Sequence, residues 1–351
     1  MSELSGRPNI LKKVNSDIIK NALKTMGSAT KAELAKETGI SLTTVGLILS
    51  ALISEDEVLN QGFDESSGGR RAERYTLNLS HSLAAVLCVE DKHIDYAIGN
   101  TAGDLIEDER YEIKQGKHME TVEVLISILI EKYNSIKYIG IGVPAAVDNG
   151  RLFTGSKLKE WYAFNVKEYL EEKYKLPVII ENDLNAIATG FAYNRLKEAG
   201  LSDSESLNMV YIHFTKDGTG AGIIANGKLV RGFSHYAGEV GFLKMNNGKT
   251  LDNIVNGINT IDEYAEAIAA AISAINCIIN PEYVVIGGEN FKLDHLDIIN
   301  KYCSNYIEEN IRPEIIPAED SRMNYISGIM YLTIEEMTSG IRLIKSKSIY
   351  K

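Results

Sequence analysis

The chain has 351 residues, of which 44% are hydrophobic and 24% charged, and its formal net charge is −11. That length suits two or three domains, and that apolar fraction is ample for packed cores, which excludes a disordered chain. The longest apolar runs, such as Ala265 to Ile279, are too short and too interrupted to span a bilayer, and no basic-then-apolar segment opens the chain, so a soluble cytoplasmic protein without membrane contact is expected.

The first 80 residues read as a separate module. Two short helical patterns, Lys31 to Thr38 and Ser41 to Glu55, are separated by Gly39-Ile40, the break that a helix-turn-helix needs. In the second helix Val45, Ile48, Leu49 and Leu52 recur at helical spacing and face a core, while Ser41, Thr43 and Thr44 crowd the first turn, the part that enters a major groove. Val58-Leu59 and Tyr75 to Leu77 then read as strands of a hairpin whose tip carries Gly68-Gly69-Arg70-Arg71. Such a wing brings backbone and two guanidiniums to phosphates or a minor groove. Lys12, Lys13, Lys20 and Lys24 on the leading segment are further candidates for phosphate contact, or else a solvated face. Any small three-helix domain with a hairpin would share part of this pattern.

Charge divides along the same boundary. Residues 1–80 hold ten basic and ten acidic side chains, so the whole net charge belongs to residues 81–351. A neutral module with a basic tip on an acidic body suits a protein that holds its body away from DNA and binds weakly without a matched site. Cys88, Cys277 and Cys303 are isolated and odd in number, which points to buried free thiols rather than to disulfides or a zinc knuckle.

From Leu83 the chain alternates strands and helices. Ala84 to Val89 and Ile94 to Asn100 read as strands, Thr101 to Asp104 as a turn and Met119 to Tyr133 as an amphipathic helix. Tyr138 to Pro144 is a buried strand running into a loop, followed by a strand at Val178 to Glu181 and a helix at Asn185 to Arg195. The pattern restarts with a strand at Met209 to Phe214, a glycine-rich turn at Asp217 to Gly222, a strand at Ile223 to Ala225 and an Asn226-Gly227 hairpin. A helix from Ile261 to Ile279 precedes Asn280-Pro281, and a strand at Tyr283 to Ile286 ends in Gly287-Gly288. This repetition predicts an α/β body of two similar lobes around a cleft that can hold a small molecule.

Five segments in order carry a resemblance to the ROK family. They are the module Ser28 to Leu79, the loop Gly142-Val143-Pro144-Ala145-Ala146-Val147-Asp148, Glu181-Asn182-Asp183-Leu184-Asn185-Ala186, Ala237-Gly238-Glu239-Val240-Gly241, and Asn280-Pro281 through Gly287-Gly288. The resemblance implies a two-lobed, ribonuclease-H-like body of the actin and hexokinase type at residues 81–351. A winged helix-turn-helix at 1–80 is the mark of the family's repressor branch. It further implies that Asp183 stands where the family's sugar kinases have their catalytic base, and that Asn182 and Glu239 match residues that hold sugar hydroxyls. By itself an Asn-Asp pair at a helix start is a cap.

Several departures from the family pattern bear on function. The Asp-x-Gly-Gly-Thr hairpin of the kinases corresponds to Cys88-Val89-Glu90-Asp91-Lys92, with carboxylates for both glycines. The second glycine motif maps onto Lys216 to Gly222, retaining Gly218, Gly220 and Gly222 but gaining Asp217. Glycine turns bind phosphate because backbone N–H groups approach it closely, and acidic side chains there repel it. Lys92 and Lys216 offset part of that repulsion, and the surviving glycines also suit plain hairpin geometry. Phe242 replaces the family's metal-binding His, and residues 246–257 contain no cysteine, so no zinc is expected and ATP binding is doubtful. A block of helices between this region and Ile261 is missing, with some sugar contacts, for which His235 is a candidate replacement.

The reading that follows is a homodimeric, sugar-responsive repressor rather than an enzyme. It binds a palindromic operator through Ser41, Thr43, Thr44, Arg70 and Arg71, and takes a sugar or sugar phosphate at Asn182, Asp183, Glu239 and His235. The alternatives are an ATP-dependent sugar kinase with a DNA-binding appendage and a DNA-binding protein that needs no ligand.

Overall fold

The structure, a computed structural model, describes residues 7–63, 72–114, 116–153, 158–200, 207–245, 248–257, 260–318 and 321–338, without the side chains of 7–10 and 338. The chain opens with α1 (Arg7–Met26), β1 (Ala29–Thr30), α2 (Lys31–Thr38) and α3 (Leu42–Ser54), followed by β2 (Val58–Phe63) and β3 (Glu73–Leu77). Thr30 and Glu33 form a capping box on α2, and Gly39 ends that helix with φ at +70°, a conformation that costs glycine little. Ser41 caps α3 by accepting the N–H of Thr44. The three strands pair in the order β1-β3-β2. Val45, Ile48, Leu49 and Leu52 pack with Ile19, Leu23, Leu34, Val58 and Tyr75 in a core of their own, so the apolar face predicted for α3 is the buried one.

The body contains two five-stranded sheets. The first is built from β4 (Leu83–Val89), β5 (His93–Asn100), β6 (Leu105–Glu112), β7 (Ile136–Val143) and β10 (Val178–Asn182), with α4 (His118–Lys132), the small hairpin β8 (Val147–Asp148) and β9 (Arg151–Leu152), and α5 (Val166–Tyr174) between. After α6 (Asp183–Glu198), the second sheet is built from β11 (Met209–Thr215), β12 (Gly218–Ala225), β13 (Lys228–Leu229), β14 (Tyr283–Gly287) and β15 (Glu314–Pro317). α7 (Leu251–Val255), α8 (Ile261–Ile279) and α9 (Leu296–Tyr306) lie within this half, and α10 (Ser321–Thr338) follows it. The strand orders are β10-β7-β4-β5-β6 and β13-β12-β11-β14-β15. Counted from the first strand of each half, both sheets run third, second, first, fourth, fifth, with the first three antiparallel and the last two added in parallel. The internal repetition predicted from the sequence is therefore present in the topology.

Strand β4 shows how one apolar run serves two cores. Leu83, Ala85, Leu87 and Val89 face the outer core under α4, whereas Ala84, Val86 and Cys88 face an inner core shared with α6 and α10. The two helices are exchanged between lobes. α6 leaves the first sheet and packs mainly on β12 and β11 of the second, while α10 leaves the second and packs on β4, β7 and β5 of the first. They cross where Gly190 meets the backbone of Asn324 and Gly328 meets that of Ala186, and a Cβ on either glycine would run into those carbonyls.

Three expectations need correction. The stretch Asp217 to Gly222 is not a glycine-rich turn, because Gly218 to Ala225 forms one continuous strand. Gly220 and Gly222 lie under α6, where added Cβ atoms would strike Leu184 and Ala188, so helix packing requires these glycines. Cys277 is exposed, unlike the buried Cys88 and Cys303. β6 was not expected at all: its sequence LIEDERYE is an edge strand with mostly accessible side chains and carries little apolar signal.

Candidate functional site

Two surfaces gather the residues singled out from the sequence. On the first, α2 and α3 meet at 115°, within the range of a helix-turn-helix. Ser41 and Thr44 hydroxyls lie 2.8 Å apart. Thr43 is exposed, and Leu47 and Ser50 continue its line along α3, with Leu47 70% exposed. Sequence periodicity passed over Leu47 because one leucine off the apolar face carries no signal. Arg70 and Arg71 lie outside the described residues. Lys20 is tied to Glu57 at 3.0 Å and to Asp17 at 3.5 Å, so it belongs to the fold of this unit rather than to a free basic face.

The second surface lies where β10 runs into α6. Asn182 keeps extended backbone angles and caps α6 by accepting the Asn185 N–H at 3.1 Å. Its amide donates to the Ala145 carbonyl at 3.2 Å and to Asp183 Oδ1 at 2.9 Å, which also accepts the Leu184 N–H at 2.8 Å. The corner is thus held by three elements: the strand, the helix start and the loop after β7. Glu239 belongs to the second lobe, where the residue before it meets β12. The Gly238 carbonyl accepts the Ala221 N–H at 2.7 Å, and the neighbouring Gly220 touches Leu184, the residue after Asp183. Burial, and then the charge of Asp252, hold the Glu239 carboxyl above its ordinary pKa. Asp252 is fixed by the Thr219 N–H at 2.6 Å.

His235 goes elsewhere. It adopts φ of +55°, unusual for a residue with a side chain, and its Nε2 lies 3.5 Å from Asp148 Oδ1. With Glu181, Arg231, Lys167 and Glu335 it lines a groove of about 630 Å³ along β10; Asn182, Asp183 and Glu239 are not among the lining residues. The structure therefore brings Asn182 and Asp183 together, keeps Glu239 beside β12 of the second lobe, and places His235 on an adjoining face.

Three participants escaped sequence reading. Glu181 is buried and bridges the lobes: Oε1 accepts from the Asn182 N–H at 2.9 Å and Asn185 Nδ2 at 3.0 Å, while Oε2 accepts from Arg231 Nη2 at 2.6 Å and Nε at 3.0 Å. Arg231, which follows β13, had no motif to mark it. Tyr325 of α10 lies buried beneath the corner, its hydroxyl without a hydrogen-bond partner among the described residues. Burial, then the charges of Cys88 and Asp183, push that phenol well above its ordinary pKa. Gly142 accommodates its ring, since a Cβ there would overlap it. The turn Glu90 to Lys92 closes β4 onto β5 through a Glu90 N–H to His93 carbonyl bond of 2.9 Å. The Asp183 carboxylate and the Asn182 amide, both half-buried at the corner, can pair with hydroxyls of a small polar molecule. Among the described residues no group of three or more His, Cys, Asp or Glu is placed to hold a metal ion, and no single helix is long and apolar enough to cross a membrane.

Residues 91–257 match the ROK family, and the chain carries a ROK family domain. It is similar to the xylose repressor of Bacillus spizizenii, 28% identical over 240 residues that cover 66% of this chain and 61% of the repressor. The chain thus matches less than two thirds of that relative's length. It is also similar to a glucokinase of Halalkalibacterium halodurans, 36% identical over 107 residues, 30% of each chain. Among solved structures, a ROK family transcriptional regulator, a homologue of the E. coli MLC protein, superposes with a TM-score of 0.70 at 16% identity, covering 93% of this chain and 98% of that one. That likeness establishes the shared α/β fold.

Proposed function

We propose that this ROK family chain is a sugar-responsive transcriptional repressor. Residues 1–80 act as a winged helix-turn-helix and residues 81–351 as sensor and dimerisation body. The relatives support a repressor, and xylose is the first effector to try because the repressor of Bacillus spizizenii is a xylose repressor. In this reading Ser41, Thr43, Thr44 and Leu47 face the major groove, and Arg70 and Arg71 contact phosphate or the minor groove. Asn182, Asp183 and Glu239 hold sugar hydroxyls, with His235 on the adjoining groove. Two copies bind a palindromic site as a homodimer.

The observation that carries the reading is the course of α10. Its first half supplies Tyr325 under the Asn182–Asp183 corner, its middle crosses α6 at Gly328, and its last turns share a cavity wall with Lys24 of α1. A ligand that draws Glu239 toward Asp183 shifts the lobes about that crossing and moves the far end of α10 against the DNA-binding unit. A coupling of about 1–3 kcal/mol is enough for a switch.

The test is footprinting of the purified protein on its own upstream DNA at about 100 mM salt, with and without xylose and a panel of other sugars. We expect a two-fold symmetric protected site, weakened about tenfold by one sugar and insensitive to that sugar in Asp183→Asn. Absence of any protected site under all conditions overturns the proposal. ATP-dependent phosphorylation of a sugar, abolished by the same substitution, replaces it with a sugar kinase.

A further inference from the structure

A second cavity lies away from the Asn182–Asp183 corner, at the seam between the amino-terminal unit and the body. It measures about 240 Å³. Lys24 of α1 forms one side, and the body supplies the rest, including Gly103 after β5 and Tyr193, Met330, Tyr331 and Ile334 from α6 and α10. The Tyr193 and Tyr331 rings stand 5.1 Å apart at 43°, and Met330 and Ile334 are almost wholly buried. Gly103, with φ at +87°, leaves only about enough room for the Tyr193 hydroxyl beside it. This is an aromatic and aliphatic chamber with a single ammonium at its edge.

Two charged side chains line the chamber, the Lys24 ammonium and the Glu335 carboxylate. That carboxylate engages the Tyr331 hydroxyl. Burial lowers the pKa of the Lys24 ammonium, and among the described residues no carboxylate opposes that effect. An anion at this point would relieve the cost of desolvating the ammonium. The volume is below the roughly 300–1,000 Å³ of sites for larger ligands, which limits the occupant to one ring and a short arm.

We propose that this chamber is a second effector site, for a small aromatic monocarboxylate: the ring lies against Tyr193, Tyr331, Met330 and Ile334, and the carboxylate meets Lys24 Nζ. Such an occupant touches both units at once, so it favours one docking of α1 on α10 by mass action. The site is separate from the sugar-binding corner and does not require it to be occupied.

The experiment is isothermal titration of the full chain with 3-phenylpropionate and with its neutral amide, alongside hydrogen exchange of α1 in the presence of each. We expect saturable binding of the acid, at least about tenfold weaker binding of the amide, and added protection of α1 by the acid alone. Lys24→Met should bring the acid down to the affinity of the amide, and Ser327→Leu, which adds bulk at a further residue of α10 lining the chamber, should weaken both. No saturable binding of the acid up to about 10 mM, or equal affinities for acid and amide in the unaltered chain, overturns the proposal. The amide comparison needs no variant, so a substitution that fails to fold does not blunt it.

Discussion

The two lobes of the body share a strand order but seat their interlobe helices in different ways. In the second lobe α6 lies on a strand of small residues, where Gly220 and Gly222 admit Leu184 and Ala188. In the first lobe α10 lies over Gly140 and Gly142, which admit Thr333, Ile329 and Tyr325, and its start is also fastened electrostatically. Arg322 pairs with Asp108 and reaches Asp95 at 3.1 Å, while Arg110 adds bonds of 2.8 and 2.9 Å to the same buried Asp95. One helix is held by close fit and a cation–π contact of Arg195 on the Tyr283 ring at 4.3 Å, the other by fit and a charge network. A repeated topology therefore does not impose a repeated mode of attachment.

Breaking the crossing itself should have the largest effect. Gly190→Val and Gly328→Val each drive a side chain into the other helix's backbone, and each should cost more than about 4 kcal/mol in denaturant unfolding. A small loss in either would mean that the helices are free to separate.

Next comes the charge network peculiar to the first lobe. Arg322→Met leaves Asp95 with part of its partners and should cost about 2–3 kcal/mol at neutral pH. Burial works to raise the Asp95 carboxyl, but Arg110 and Arg322 outweigh it and hold its pKa below the ordinary value. The folded carboxyl is the weaker base, so this stability is present above the unfolded pKa near 4 and is lost as pH falls through the lower folded one.

The second lobe should yield to acid earlier. Burial, opposed by the charge of Glu289, brings His213 of β11 from 6.5 down to about 4. Its unfolded form binds the proton more readily, so stability falls as pH drops from about 6.5 toward 4, by up to about 3 kcal/mol. Unfolding midpoints at pH 7.5 and 5 should differ accordingly, and His213→Gln should flatten that slope. An unchanged slope would assign it to another group.

The smallest expected effect has the opposite sign and lies outside both lobes. Gly46 sits inside α3 with open space where a Cβ would stand, so Gly46→Ala should raise thermal stability by about 1 kcal/mol. It calibrates the loss at the crowded glycines against a glycine that nothing presses.

Much of this architecture was legible in the residues where local signals agreed. The helix Ile261–Ile279 has both predicted ends, because Thr260 and Glu263 form a capping box and Asn280 takes the left-handed conformation before Pro281. The edges of α3 and the burial of its Val45 stripe were equally clear. Glycine was the misleading letter. In Gly218 to Gly222 it signalled a turn, whereas its role is to let a helix approach a strand, a tertiary requirement that no local pattern encodes. The corner of the candidate site was visible as Asn182-Asp183, since a cap and a binding pair share one sequence. Arg231 and Tyr325 were not, because each comes to Glu181 or Asp183 from a distant part of the chain. His235 is close to Glu239 in sequence, yet three intervening residues and a positive φ turn it to the other face.

The exchange of α6 and α10 also has a consequence for synthesis. The inner surface of the first sheet, with Ala84, Val86 and Cys88, is complete on the ribosome long before its covering helix has been made. Until residues near Ile329 and Thr333 emerge, that surface is open to non-native partners. The nascent first lobe should accordingly be the stretch on which a chaperone dwells, and a stall shortly before Ser321 should leave it unfinished.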